Sequence, residues 1–161
     1  GFGRADCWPK EAAIYRDADN FVAEARRREG EGAQMVLVGY SLGSGIASHA
    51  ALAAPGLPLA LVSPYSSIPD VVLDNPILRP LASFLWSEFP TKDRIAKLGA
   101  RPLFIAATPG DLVVPYSHAE RLRALVGAET PLEFVTTQSA HHGRVIFDAI
   151  PHIAAWAEKL R

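Results

Sequence analysis

Four short apolar runs constrain this chain more than any other feature: 34–40, 59–63, 102–108 and 131–137, each rich in β-branched residues or leucine. None alternates apolar with polar residues, so both faces of each should be buried. Strands of that kind belong in a parallel sheet covered by helices on either side. The stretches between the runs supply such helices. Ile14, Ala18, Phe21, Val22 and Ala25 recur at helical spacing opposite Glu24, Arg26, Arg27 and Arg28, and this helix should stop at Gly30 or Gly32. A second helix is expected from Leu42 to Ala54, ended by Pro55-Gly56. A third should start from Ser117 as N-cap, with Glu120 three residues on, and run to Val126. The last should run from Arg144 to Leu160, with a kink at Pro151. The expected class is α/β: a mostly parallel sheet with helices on both faces.

A chain of 161 residues that is 49% hydrophobic can bury one sizeable core, and no linker divides it, so 1–161 reads as a single domain. Sixteen basic against 17 acidic residues leave a formal net charge of -1, which offers no electrostatic draw toward nucleic acid or an anionic membrane. No apolar run reaches the length of a membrane span. Cys7, the single cysteine, cannot close an internal disulfide, which favours a reducing, cytoplasmic setting, and no paired cysteines suggest zinc. The interval 65–101 breaks the strand-helix rhythm. It carries Pro69, Pro76, Pro80 and Pro90, and an apolar stretch containing Ile77, Leu78, Leu81, Phe84, Leu85 and Trp86. Long excursions of this sort in compact domains act as lids or binding loops, so these apolar residues are expected to face a substrate.

The chemistry centres on Gly39-Tyr40-Ser41-Leu42-Gly43, a GxSxG sequence placed directly after an apolar strand and directly before a helix. A serine hydroxyl is a weak nucleophile and must stand clear of the chain where a base can reach it, which a sharp strand-to-helix turn achieves. Gly39 and Gly43 are expected to be glycine because side chains there would collide where strand and helix approach. The Leu42 N–H, at the positive end of the helix, is placed to stabilise an oxyanion. A nucleotide-binding loop is the competing reading. The spacing is not GxGxxG, no Lys follows as in a P-loop, and the next strand ends in Ser63-Pro64 instead of an acid.

A nucleophile needs a base and the base an orienting acid, both from later strand ends. The run 102–108 leads into Pro109-Gly110-Asp111, and the run 131–137 leads through Ser139 and Ala140 to His141-His142-Gly143. Asp111 is therefore expected as the acid, in preference to Asp70, Asp74 and Asp148, none of which follows a strand. Of the adjacent histidines, only one can point at Ser41. His141 is expected as the base because it comes first after the strand and a short loop should turn it inward. His49, His118 and His152 fall on helices without ligand spacing, so no metal is expected.

With these motifs in place the chain resembles the α/β-hydrolase superfamily of serine hydrolases, and within it the BEM46-like and ABHD12/ABHD13/ABHD17-like branch. The resemblance rests on Gly1-Phe2-Gly3-Arg4-Ala5-Asp6, Tyr15-Arg16-Asp17-Ala18, Gly39 to Gly45, Ser63-Pro64-Tyr65-Ser66-Ser67, Gly110 to Pro115 and Ala140-His141-His142-Gly143. It implies hydrolysis of an ester, thioester or similar acyl bond through an acyl-enzyme, on a small-molecule or lipid-like acyl substrate and with no cofactor. It also implies further strands ahead of Gly1, and a loop after one of them that supplies the second oxyanion N–H; that missing N-terminal segment is expected to complete the fold. Two readings compete with an acyl hydrolase: a peptidase of the prolyl-oligopeptidase type, and a non-catalytic ligand-binding member of the fold.

Overall fold

In the computed structural model, residues 10–30, 32–75, 79–80 and 87–161 are described. They form the order α1 (Glu11–Glu29), β1 (Leu37–Tyr40), α2 (Leu42–Ala53), β2 (Leu59–Val62), α3 (Ile68–Asp74), α4 (Thr91–Ile95), β3 (Leu103–Ala107), α5 (Tyr116–Ala124), β4 (Leu132–Thr136) and α6 (His142–Glu158). The four strands pair in the order β1-β2-β3-β4, all parallel. Their register aligns Leu37, Leu59, Leu103 and Leu132 across the sheet, so all four carboxyl ends lie along one edge.

Alternation along the strands divides the core in two. Leu59, Leu61, Leu103 and Ile105 face Ala51 of α2, Ile95 of α4, and Ala119 and Leu122 of α5. Ala60, Val62, Phe104 and Ala106 face Val145, Ala149 and Trp156 of α6. Residues 59–62 and 103–106 are fully enclosed, whereas Val38 on β1 is 51% exposed, as befits an outer strand beside two central ones. Helix α1 packs behind α2 through Val22, Ala50 and Ala54.

Two helix boundaries depart from the sequence expectation. Ser117 is the second residue of α5 and not its N-cap; Pro115 holds the cap position and offers no side-chain acceptor. Helix α6 starts at His142, two residues before the expected Arg144, and carries Pro151 inside it. Among the described residues of the interval 65–101 are two short helices, α3 and α4, that the sequence reading does not expect. Ser67 caps α3 by accepting the Asp70 N–H at 3.2 Å. The flanks of the interval belong to the core: Tyr65, Phe89, Thr91 and Ile95 are all buried. Ile77, Leu78, Leu81, Phe84, Leu85 and Trp86, the expected lid contacts, lie outside the described residues.

A polar network fixes the returning end of that interval beneath the elbow. Arg94 donates to the Gly45 carbonyl at 2.9 Å and to the Tyr15 hydroxyl at 2.7 Å, and Tyr15 donates to Glu11 at 2.6 Å. The second Glu11 oxygen accepts the Glu88 N–H at 2.7 Å. Burial and the Glu11 hydrogen bond push the Tyr15 phenol up to about 12, so it stays protonated and able to donate.

The outgoing end is held by a buried histidine. His118, fully enclosed on α5, accepts the Ser66 N–H at Nδ1 (3.3 Å), so its proton sits on Nε2, which faces Asp74 of α3 at 3.5 Å. Asp70, Asp74 and Arg121 surround it, and burial, reinforced by the Arg121 charge, lowers its pKa below 6.5. Below pH 6.5 the unfolded chain therefore takes up a proton that the folded chain resists. Stability should be full above that pH and fall progressively as pH drops toward the lowered value. A thermal-denaturation series from pH 8 to pH 5 should show this decline in the wild type and a smaller one in His118→Gln; equal slopes would refute the assignment.

Candidate active site

The carboxyl edge of the sheet carries three strand exits that matter here. Ser41 follows β1, Thr108 and the turn to Asp111 follow β3, and the segment after β4 reaches His142. The ladder continues one step past the strands, with Ser41 N–H donating to Val62 O at 2.9 Å and Thr137 N–H to Ala107 O at 2.8 Å. The three exits are thereby held in one frame.

Ser41 has φ 52° and ψ -122°, a backbone conformation that side chains disfavour and that sends its Cβ away from the strand. Gly39 makes this turn feasible. A Cβ there would meet the Gly43 carbonyl oxygen at 2.5 Å and the Ser44 Cα at 2.8 Å, both backbone atoms. Gly43 differs from expectation: among the described residues a Cβ there meets nothing within 4 Å, so packing does not require glycine at that position. The tight position is Gly45 instead, where a Cβ would collide with the Tyr65 hydroxyl and stand 2.9 Å from the Phe89 Cβ. Leu42 is the first residue of α2, so its N–H has no carbonyl four residues back within the helix.

Ser41 Oγ lies 2.9 Å from Nε2 of His142, and His142 Nδ1 lies 2.7 Å from Oδ2 of Asp111. The structure thus brings Ser41 and Asp111 together as expected but joins them through His142 and not His141. His141 is the N-cap of α6 in extended conformation (φ -162°, ψ 162°) and is exposed. The helix begins at His142, so helical phase sets the direction of that side chain, while His141 stays outside the helix on the solvent side. The sequence carries a helical signal for the histidine that meets Ser41. His142 lies three residues before Val145 and seven before Ala149, both buried on the stripe that packs against the sheet.

The carboxylate of Asp111 is almost fully buried and both of its oxygens have partners. Oδ1 accepts the N–H groups of Val113 and Val114, each at 2.9 Å, and Oδ2 faces the imidazole. An acceptor on that side places the imidazole proton on Nδ1 and leaves the Nε2 lone pair for the Ser41 hydroxyl. Gly110 lets the acid turn approach the histidine segment, since a Cβ there would stand 2.7 Å from the Ser139 carbonyl oxygen. Thr108 Oγ1 donates to that same carbonyl at 2.9 Å. A cavity of about 530 Å³ lined by Arg26, Arg27, Met35 and Leu57 lies by the opposite, amino-terminal ends of the strands and is remote from Ser41. Among the described residues no cluster of three or more His, Cys, Asp or Glu side chains could hold a metal, and no helix is long and apolar enough to cross a membrane.

No protein-family model matches the sequence. Two uncharacterized proteins of Mycobacterium tuberculosis, Rv2307c and MT2364, are each 33% identical over 125 residues, which cover 73% of this chain and 43% of theirs. The chain thus spans less than half the length of these relatives. Among solved structures, an alpha-beta hydrolase from Vibrio vulnificus matches with a TM-score of 0.69 and 21% identity, over 91% of this chain and 57% of that one. The esterase domain of a Rhodothermus marinus protein matches with a TM-score of 0.66 and 19% identity, over 90% and 68%. An acetyl xylan esterase from Paenibacillus sp. R4 matches with a TM-score of 0.69 and 15% identity, over 91% and 52%. Likenesses at these identities establish a shared fold.

Proposed function

From the α/β-hydrolase fold that the chain shares with those structures, we propose that it is a serine hydrolase cleaving a carboxylic ester, thioester or similar acyl bond. The observation that carries the reading is the unbroken path Ser41 Oγ, His142 Nε2, His142 Nδ1, Asp111 Oδ2, with its two contacts at 2.9 and 2.7 Å. In the proposed cycle Ser41 Oγ attacks the acyl carbon while His142 Nε2 takes the hydroxyl proton. Asp111 holds the tautomer and faces the imidazolium that forms. The Leu42 N–H, at the start of α2, donates to the tetrahedral oxyanion. Collapse expels the leaving group, which receives the proton from His142. Water then attacks the acyl-enzyme by the same relay in reverse.

The surroundings support an apolar acyl group. Leu42, adjoining the nucleophile, is 47% exposed, and Leu112 and Val113, adjoining the acid, are 84% and 50% exposed. Side chains of this kind beside a reactive centre stabilise a hydrocarbon chain laid across them by about 25 cal/mol per Å² removed from water. Incubating the intact protein with a fluorophosphonate probe should phosphonylate it, and mass spectrometry should place the adduct on Ser41. Rates on p-nitrophenyl esters should rise with acyl length from acetate upward before levelling. A folded protein that neither labels nor turns over any ester would overturn the hydrolase reading in favour of a ligand-binding role.

A further inference from the structure

We infer that Tyr40, the variable residue between the first glycine and the serine of the elbow, is a positioning residue that holds His142 in register with Ser41. The inference rests on the hydrolase reading above and adds a residue to its machinery. Tyr40 ends β1 and His142 begins α6, 102 positions apart, yet they touch at two points. The Tyr40 hydroxyl donates to the His142 carbonyl oxygen at 3.0 Å. Its ring lies on the imidazole with centroids 5.2 Å apart and planes inclined by 27°.

The two contacts do different things. The imidazole's bonds to Ser41 and Asp111 both lie at its edge, so they fix the ring along one axis but resist tipping about that axis weakly. A phenol ring against its face opposes the tipping. When the proton arrives on His142, the same ring presents its electron-rich face to an imidazolium, an attraction absent from the neutral form. The hydroxyl bond acts on the main chain: it ties the first residue of α6 to the strand that carries the nucleophile. Both reacting groups thereby move as one body. Burial, with the Asp111 charge behind it, raises the Tyr40 pKa, so the phenol keeps the proton this bond requires.

Tyr40→Phe removes the hydrogen bond and keeps the ring; Tyr40→Leu removes both. In the intact protein, kcat for p-nitrophenyl butyrate and the rate of Ser41 phosphonylation should fall about 3- to 10-fold in Tyr40→Phe. They should fall about 10- to 100-fold in Tyr40→Leu, with KM within about twofold of wild type in both. In a His142→Ala background, where no imidazole remains to be positioned, Tyr40→Phe should have no further effect on the residual rate. A general loss of stability would lower both backgrounds alike, and that result would overturn the inference. So would wild-type kcat and labelling in Tyr40→Phe, a near-isosteric change that keeps the test open if Tyr40→Leu fails to fold. Failure of the wild-type protein itself to label or turn over would fell the hydrolase reading, and the inference with it.

Discussion

Replacing His142 with alanine should cut kcat for ester hydrolysis by about 10⁴-fold or more, whereas His141→Ala should stay within about threefold of wild type. The asymmetry follows from geometry, since the two side chains are chemically identical and neighbours in sequence. His142 faces Ser41 at 2.9 Å and Asp111 at 2.7 Å. Without it, the Ser41 hydroxyl must lose its proton to water, and the acid has nothing to orient. His141 caps α6 from the solvent side with no side-chain bond to the helix, so its removal should cost little stability. Phosphonylation of Ser41 should follow kcat in both variants. Comparable losses in the two, or a larger loss in His141→Ala, would mean that the segment adopts another arrangement when substrate is bound.

That His142, and not the expected His141, meets Ser41 traces to one boundary. A helix that starts at Arg144 puts both histidines in a loop, where only loop direction can separate them. The chain enters α6 earlier, and helical phase then decides: the stripe of Val145, Ala149 and Trp156 runs back to position 142. The strands and their shared edge were far more legible, because residues 59–62 and 103–106 are buried on both faces and so carry continuous apolar sequence. The same burial explains why strand, turn and acid could be read in order at Asp111. Within 65–101 the signal failed for different reasons. Helix α3 has a Ser67 cap and Pro69 in its first turn, yet its seven residues are too few for periodicity to show. Helix α4 has five. The interlock of Glu11, Tyr15, Arg94 and Gly45 joins residues up to 79 positions apart, and no local pattern records such a meeting. Glycine roles divided in the same way. Gly39 follows from the turn it occupies, whereas Gly45 is set by Tyr65 and Phe89 arriving from another part of the chain.

Two substitutions at Ser41 should be equal in activity and unequal in stability. Ser41→Ala and Ser41→Gly both delete the hydroxyl, so both should lose fluorophosphonate labelling entirely and retain only the residual rate that oxyanion donors and binding can give, about 10³- to 10⁴-fold over water in comparable enzymes. The backbone separates them. With φ 52° and ψ -122°, position 41 sits where a Cβ is crowded and glycine is not, a strain of about 1–3 kcal/mol. Alanine keeps that strain; glycine releases it, less the roughly 0.4–1 kcal/mol by which glycine loosens the unfolded chain. Ser41→Gly should therefore exceed Ser41→Ala by about 1 kcal/mol, which corresponds to about 2–4 °C in Tm for a chain of this size. Denaturant titration of the two variants measures the difference directly. Equal stabilities would show that the turn around Gly39 and Gly45, and not the serine's own Cβ, bears the cost. A gain for glycine would mean that the conformation presenting the hydroxyl to His142 is held against the residue's own preference by the packing of β1 against α2.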